Sequence, residues 1–211
     1  MQSEMQTIVP LRPHNADELL EMVEKIGNRA EWIEVWLDQF EGDVPRIKSH
    51  KLIGCCKTPT ERGNFLGTEK EKLRILQNFL KSGGDLVDLD VNKNDEALIR
   101  QIPCDKLLLS FHDFDTTPPH MNDVFAQMYF FSPALYKFSV TVNESVSLEL
   151  FLDFVRNFPK DKNAVFTTMG KFGREGREQI EEMKKSWGQF IALNEKNKTE
   201  ASQRLLDTFG S

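Results

Sequence analysis

The sequence predicts a (β/α)8 barrel. Apolar segments of four to eight residues, rich in Val, Ile, Leu, Phe and Thr, recur eight times, as buried parallel strands do. Helical segments lie between them, and that alternation implies a parallel sheet covered by helices. Eight such repeats match the number that closes a barrel. At 211 residues the chain has the length of one large domain, residues 1–211, at the short end for this fold. The competing arrangement is an open doubly wound sheet. No G-x-G-x-x-G follows the first strand, which disfavours a dinucleotide-binding version.

The expected strands span 7–10, 32–38, 51–56, 86–91, 107–112, 136–142, 164–169 and 189–193. The first helix, 15–23, opens on Asn15 as cap with an acid in its first turn, then places apolar residues at helical spacing. The next, 68–80, stops near Gly83-Gly84, and shorter helices follow at 94–100 and 122–128. Segments 145–158, 175–185 and 199–209 supply the last three. The Thr116-Thr-Pro-Pro119 stretch and the glycine-rich 169–177 stretch both follow strands, and in a barrel such loops form the face that carries active sites.

Composition narrows the function. With 39% hydrophobic and 28% charged residues the chain reads as an ordinary soluble globular protein. Net charge is −6 and basic residues are scattered, which argues against a nucleic-acid surface. No apolar stretch approaches a membrane span, and the first residues show neither a basic region nor an apolar core of a signal peptide. Cys55, Cys56 and Cys104 form no C-x-x-C pair, which fits a reducing cytoplasm. No histidine or cysteine spacing suggests a metal; His14, His50 and His120 stand alone. Cys55 and Cys56 face opposite sides of one strand, and so at most one can line a barrel.

Two residues stand out chemically. Lys137 lies in Leu135-Tyr-Lys-Phe-Ser-Val-Thr-Val142, otherwise a buried strand, where an ammonium is costly unless paired, exposed or used. Desolvation and nearby cations lower a lysine pKa, and the neutral amine attacks carbonyls. His112 has a similar setting in Lys106-Leu-Leu-Leu-Ser-Phe-His-Asp-Phe114. Together they suggest Schiff-base chemistry with an acid/base partner.

The order of motifs then becomes specific. Ser110-Phe-His-Asp-Phe114 followed by Thr117-Pro118 is similar to the S-[YF]-H-[DN]-F-x-x-T-P segment of the type I 3-dehydroquinate dehydratases. Lys137 stands at that family's Schiff-base lysine. Met169-Gly170-Lys171-Phe172-Gly173 with Arg177 resembles its M-G-x-x-G-x-x-S-R loop, while Glu34-x-x-x-Asp38 and Asp88-Leu-Asp90 match its barrel-strand acids. The resemblance runs along nearly the whole chain. It implies dehydration of 3-dehydroquinate to 3-dehydroshikimate without metal or organic cofactor. Lys137 would form the imine, and His112 would act as general acid and base near its ordinary pKa. Glu61 would orient and tune His112.

The resemblance further implies that Glu34, Lys57, Arg177 and Gln203 hold the substrate, with Thr199 supplying a hydroxyl in the last loop. Arg177 would grip the carboxylate, with Arg174 as a nearby rival. Three departures stand out. Trp36 replaces a family arginine and offers one N–H and no charge. Lys57 replaces another and loses its bidentate fork. Thr199-Glu-Ala-Ser-Gln203 lacks the family's Pro-Gly, and Thr199 reads equally as a helix cap. Partners implied are the small-molecule substrate and, from the family, a second copy in a homodimer; neither nucleic acid nor membrane is expected. The rival readings are a Schiff-base lyase or aldolase of changed substrate, motivated by Trp36, and a barrel that has lost catalysis and binds a partner.

Overall fold

The computed structural model of the chain describes residues 5–191. Its strands form one eight-stranded sheet in the order β7-β6-β5-β4-β3-β2-β1-β8, and the registered pairs are parallel. This is the topology of the (β/α)8 class. The chain divides into two compact units, one holding Gln6–Asp88 and the other Leu89–Gln189.

The first unit contains β1 (Gln6–Leu11), α1 (Ala16–Ile26), β2 (Trp32–Trp36), β3 (Lys51–Cys55), α2 (Glu69–Lys81) and the start of β4 (Leu86–Asp90). Asn15 caps α1 by accepting from the Glu18 N–H at 3.0 Å, and the helix buries Leu19, Val23 and Ile26. Such a cap satisfies one of the donors that a helix start leaves open. α2 begins on a reciprocal box: Thr68 Oγ1 accepts from the Glu71 N–H at 3.3 Å, and Glu71 Oε2 accepts from the Thr68 N–H at 2.7 Å. β2 ends two residues earlier than expected: the Leu37 N–H still reaches the Cys55 carbonyl of β3, and Phe40 then closes a turn on Leu37. The connection 37–50 carries no helix, so the β/α alternation is broken once.

The second unit holds the end of β4, α3 (Glu96–Ile99), β5 (Leu107–Asp113), α4 (Met121–Tyr129), β6 (Leu135–Thr141), α5 (Ser145–Asn157), β7 (Ala164–Met169), α6 (Gly173–Met183) and most of β8 (Gly188–Phe190). Alternation along β6 sorts its side chains. Tyr136 and Phe138 enter an aromatic cluster with Phe125 of α4, Phe154 of α5, Phe158 and Phe166 of β7, with ring centroids 4.8 Å apart for Phe125–Phe158 and 5.0 Å for Phe138–Phe154. Lys137 and Ser139 therefore take the other face. Met121 and Met128 are buried and Phe125 joins the aromatic cluster, whereas Tyr129 and Phe130 are exposed. The expected strand 189–193 lies only partly within the described residues, and the expected helix 199–209 lies outside them, as do Thr199 and Gln203.

Candidate active site

In the second unit, register places the reactive pair. Ser110 pairs with Lys137, and His112 with Ser139, so these four side chains share one face of neighbouring strands β5 and β6. Lys137 is 6% exposed and Ser110 fully buried. A lysine there is held on a packed strand, the rigid kind of support that a nucleophile needs.

His112 is gripped by Asp90. Nδ1 lies 2.8 Å from Asp90 Oδ2, which also accepts the His112 backbone N–H at 2.9 Å. The other oxygen accepts the Asn92 N–H at 2.9 Å. An ionised carboxylate only accepts, so Nδ1 carries the proton and Nε2 is left as the basic nitrogen. The sequence reading gave Asp90 no part beyond that of a strand acid and assigned the orienting carboxylate to Glu61. Asp90 holds the Nδ1 position. Its signal was present: Asp88 and Asp90 are two apart on β4 and so share a face.

Two loops at the strand ends are lashed to β6. Thr117 Oγ1 donates to the Thr141 carbonyl at 2.9 Å, and the Thr141 N–H donates to Thr116 at 3.0 Å. The glycine-rich stretch is tied by the Phe172 N–H to Val142 O and by the Lys171 N–H to Asn143 Oδ1. Gly170 turns there at φ +81°, where a Cβ would lie 2.6 Å from Asn143 Oδ1. Arg177, half-buried on α6, donates to the Thr168 carbonyl. Burial lowers its guanidinium pKa from the ordinary value, with Glu178 opposing. Arg174 is exposed and paired with Glu178 at 2.7 Å, the geometry of a solvated helix charge.

In the first unit a buried charge network follows β3. Lys57 Nζ lies 3.0 Å from Asp88 Oδ1 and 3.8 Å from Glu61 Oε1. Glu61 Oε2 accepts from Lys72 Nζ at 3.1 Å, from the Thr58 N–H at 3.0 Å and from Thr58 Oγ1 at 2.8 Å. Lys57, Glu61, Lys72 and Asp88 are all at most 6% exposed. Two cations and two carboxylates alternate and neutralise one another, which makes burial tolerable. The loop that brings Glu61 back to Lys57 requires Gly63, since a Cβ there would meet the Lys57 carbonyl at 2.1 Å. Lys72 was missed in the sequence, where it reads as one more charge of a solvated helix.

On β2, Glu34 is 3% exposed and Trp36 lies two residues on, on the same face. The Trp36 indole N–H donates to Glu34 Oε2 at 3.1 Å. Over the Trp36 ring sits the Arg12 guanidinium, its carbon 3.6 Å from the centroid. Of the remaining candidates, His50 is structural, bound to Gly27 O at 2.8 Å and Ser49 Oγ at 2.9 Å. Both Cys55 and Cys56 are buried, and burial pushes the Cys56 thiol up to about 12, so it is an inert packing group. Among the described residues no group of three His, Cys, Asp or Glu is placed to hold a metal ion, and no helix is long and apolar enough to cross a membrane.

A strand-borne lysine and a carboxylate-held histidine lie on adjacent parallel strands of a (β/α)8 scaffold, residue types suited to carbonyl chemistry. Residues 7–178 match the family model for type I 3-dehydroquinase, and the chain belongs to that family. It is 27% identical to the 3-dehydroquinate dehydratase of Coxiella burnetii, over 75% of this chain and 71% of that enzyme. In fold it is similar to the type I 3-dehydroquinate dehydratase of Clostridium difficile, crystallised with covalently modified comenic acid: TM-score 0.80, 18% identity, covering 98% of this chain and 91% of that one. The Enterococcus faecalis 3-dehydroquinate dehydratase superposes with a TM-score of 0.76 at 21% identity, over 97% and 94% of the two chains. The expected (β/α)8 fold is thus borne out.

Proposed function

We infer that the protein dehydrates 3-dehydroquinate to 3-dehydroshikimate through a Schiff base on Lys137, working as a single catalytic domain. The observation that carries this is the buried Lys137 beside a histidine whose tautomer Asp90 fixes, in a chain of the type I 3-dehydroquinase family.

Lys137 Nζ adds to the ring ketone, and loss of water gives a protonated imine. His112 Nε2 takes the proton from the adjacent carbon, and the electron pair passes into the imine. The imidazolium then returns that proton to the departing hydroxyl, which leaves as water. Hydrolysis frees Lys137 and the conjugated ketone. Asp90 orients the acid/base histidine, Glu61 takes the supporting position that the family gives it, and Glu34, Trp36, Lys57, Arg177, Thr199 and Gln203 hold the substrate, Arg177 taking the carboxylate. The protein works in the cytoplasm, as a homodimer. Trp36 favours one second reading, a Schiff-base lyase of altered substrate, because it puts an aromatic ring where the family carries a cation.

Borohydride added with 3-dehydroquinate should reduce the imine and leave an adduct on Lys137, located by peptide mass spectrometry. An adduct at Lys57 or Lys171 overturns the assignment. Absence of turnover, followed by ultraviolet absorbance of the conjugated product, moves the case to the second reading.

A further inference from the structure

Arg12 follows the last residue of β1. The β1–β2 register ends on the pair Leu11–Val35, so the next position sets Arg12 beside Trp36. Its guanidinium lies over the indole at 3.6 Å, and Nη2 donates to the Arg62 carbonyl at 3.3 Å. Stacking uses the face of the guanidinium and leaves its N–H donors, which radiate in the plane, to meet a ligand. The ring beneath is held in turn by its hydrogen bond to the buried Glu34. Arg12 is thus an exposed cation with a fixed orientation at the C-terminal ends of two strands, the end where (β/α)8 enzymes bind substrates.

Two buried cations of this unit are already compensated. Lys57 is shared by Asp88 and Glu61, and Lys72 is bound to Glu61. Arg12 touches an aromatic ring and a neutral carbonyl, and among the described residues it has no carboxylate partner. Among the described residues its charge and remaining donors are unspent.

We propose that Arg12, carried on Trp36, is a substrate-contacting, specificity-determining residue that binds the hydroxyl oxygens of the cyclic hydroxy-ketone substrate. Trp36 then serves as the platform for a cation delivered from the neighbouring strand. The assignment rests on the dehydratase reading, in which Arg177 takes the carboxylate.

The test is steady-state kinetics with 3-dehydroquinate on the intact protein, with calorimetric titration of 3-dehydroshikimate alongside. Arg12→Ala should raise KM about tenfold and weaken product binding equally, with kcat within about threefold, because a charge-assisted hydrogen bond formed in ground and transition states is lost. Arg12→Lys should fall between, keeping charge without the planar stack. Trp36→Ala should reproduce the loss, and the double variant should be no worse than the worse single one, since the two residues act as a unit. An active wild type with Arg12→Ala inside twofold in KM and product affinity overturns the proposal and leaves the dehydratase reading standing. Fully additive losses in the double variant also overturn it, by separating Arg12 from its platform. A wild type that neither turns over 3-dehydroquinate nor binds the product overturns both.

Discussion

Lys72 is a residue whose meaning depends on one contact. It lies in the first turn of α2, amid Glu69, Lys70 and Glu71, and nothing in that spacing separates it from a solvated charge. Folding turns it inward to Glu61 at 3.1 Å with 3% exposure. Lys72→Met should therefore cost about 3 kcal/mol, since it leaves two buried carboxylates, Glu61 and Asp88, sharing the one cation Lys57, whereas Lys72→Met with Glu61→Gln should recover much of that loss. Urea denaturation of the two singles and the double closes the cycle. Additive losses would mean that the two charges are not coupled. Thiol chemistry gives a second residue-level expectation. Cys104 is exposed, while Cys55 and Cys56 are buried and burial holds Cys56 near 12. An aromatic disulfide reagent on the folded protein at neutral pH should titrate one thiol rapidly, and Cys104→Ser should abolish that phase. A fast phase surviving that substitution would place a reactive thiolate on β3 or its end.

At the scale of elements, the strands were legible because buried parallel strands announce themselves by composition, and β7 has the bounds its sequence suggests. Ends were less legible. β2 stops at Trp36 because the chain turns just beyond it, Phe40 closing on Leu37, and residues 37–50 stay irregular. Neither follows from local pattern. The two faces of β6 were not legible either, since all seven of its residues are buried. Only the aromatic cluster decides that Tyr136 and Phe138 turn to the helices, leaving Lys137 opposite. That packing also has a pH signature. Burial raises the Tyr136 phenol from 10.0 to about 12. Once the unfolded chain ionises near pH 10 and the folded one does not, the unfolded chain binds fewer protons, and stability falls as pH rises toward 12. Urea midpoints at pH 9 and pH 11 should show a larger loss for wild type than for Tyr136→Phe. Equal losses would remove Tyr136 from the account.

For the whole molecule, Lys137, His112 and Arg177 could be put forward from sequence because motifs similar to the family's occur in order along the chain. Asp90 was legible only as a strand acid, since its hold on His112 comes from the neighbouring strand, and the stacking of Arg12 on Trp36 likewise joins two strands. Cooperativity is likewise a property of the entire chain. The division between the two units falls inside β4, between Asp88 and Leu89, and again inside β8, between Gln189 and Phe190. Domain boundaries ordinarily fall in exposed, flexible linkers, and a strand is continuous backbone within a ladder. The three tryptophans allow a direct measurement, because Trp32 and Trp36 belong to the first unit and Trp187 to the second. Trp187→Phe leaves fluorescence that reports the first unit alone, and Trp32→Phe with Trp36→Phe leaves a reporter of the second. If the chain is one cooperative domain, fluorescence and circular dichroism should give the same urea midpoint within each variant, whichever unit carries the reporter. The substitutions can move that shared midpoint without separating the two signals. A fluorescence transition displaced from the circular dichroism transition in either variant would mean that the unit with the reporter unfolds on its own, and the single-domain reading would fail.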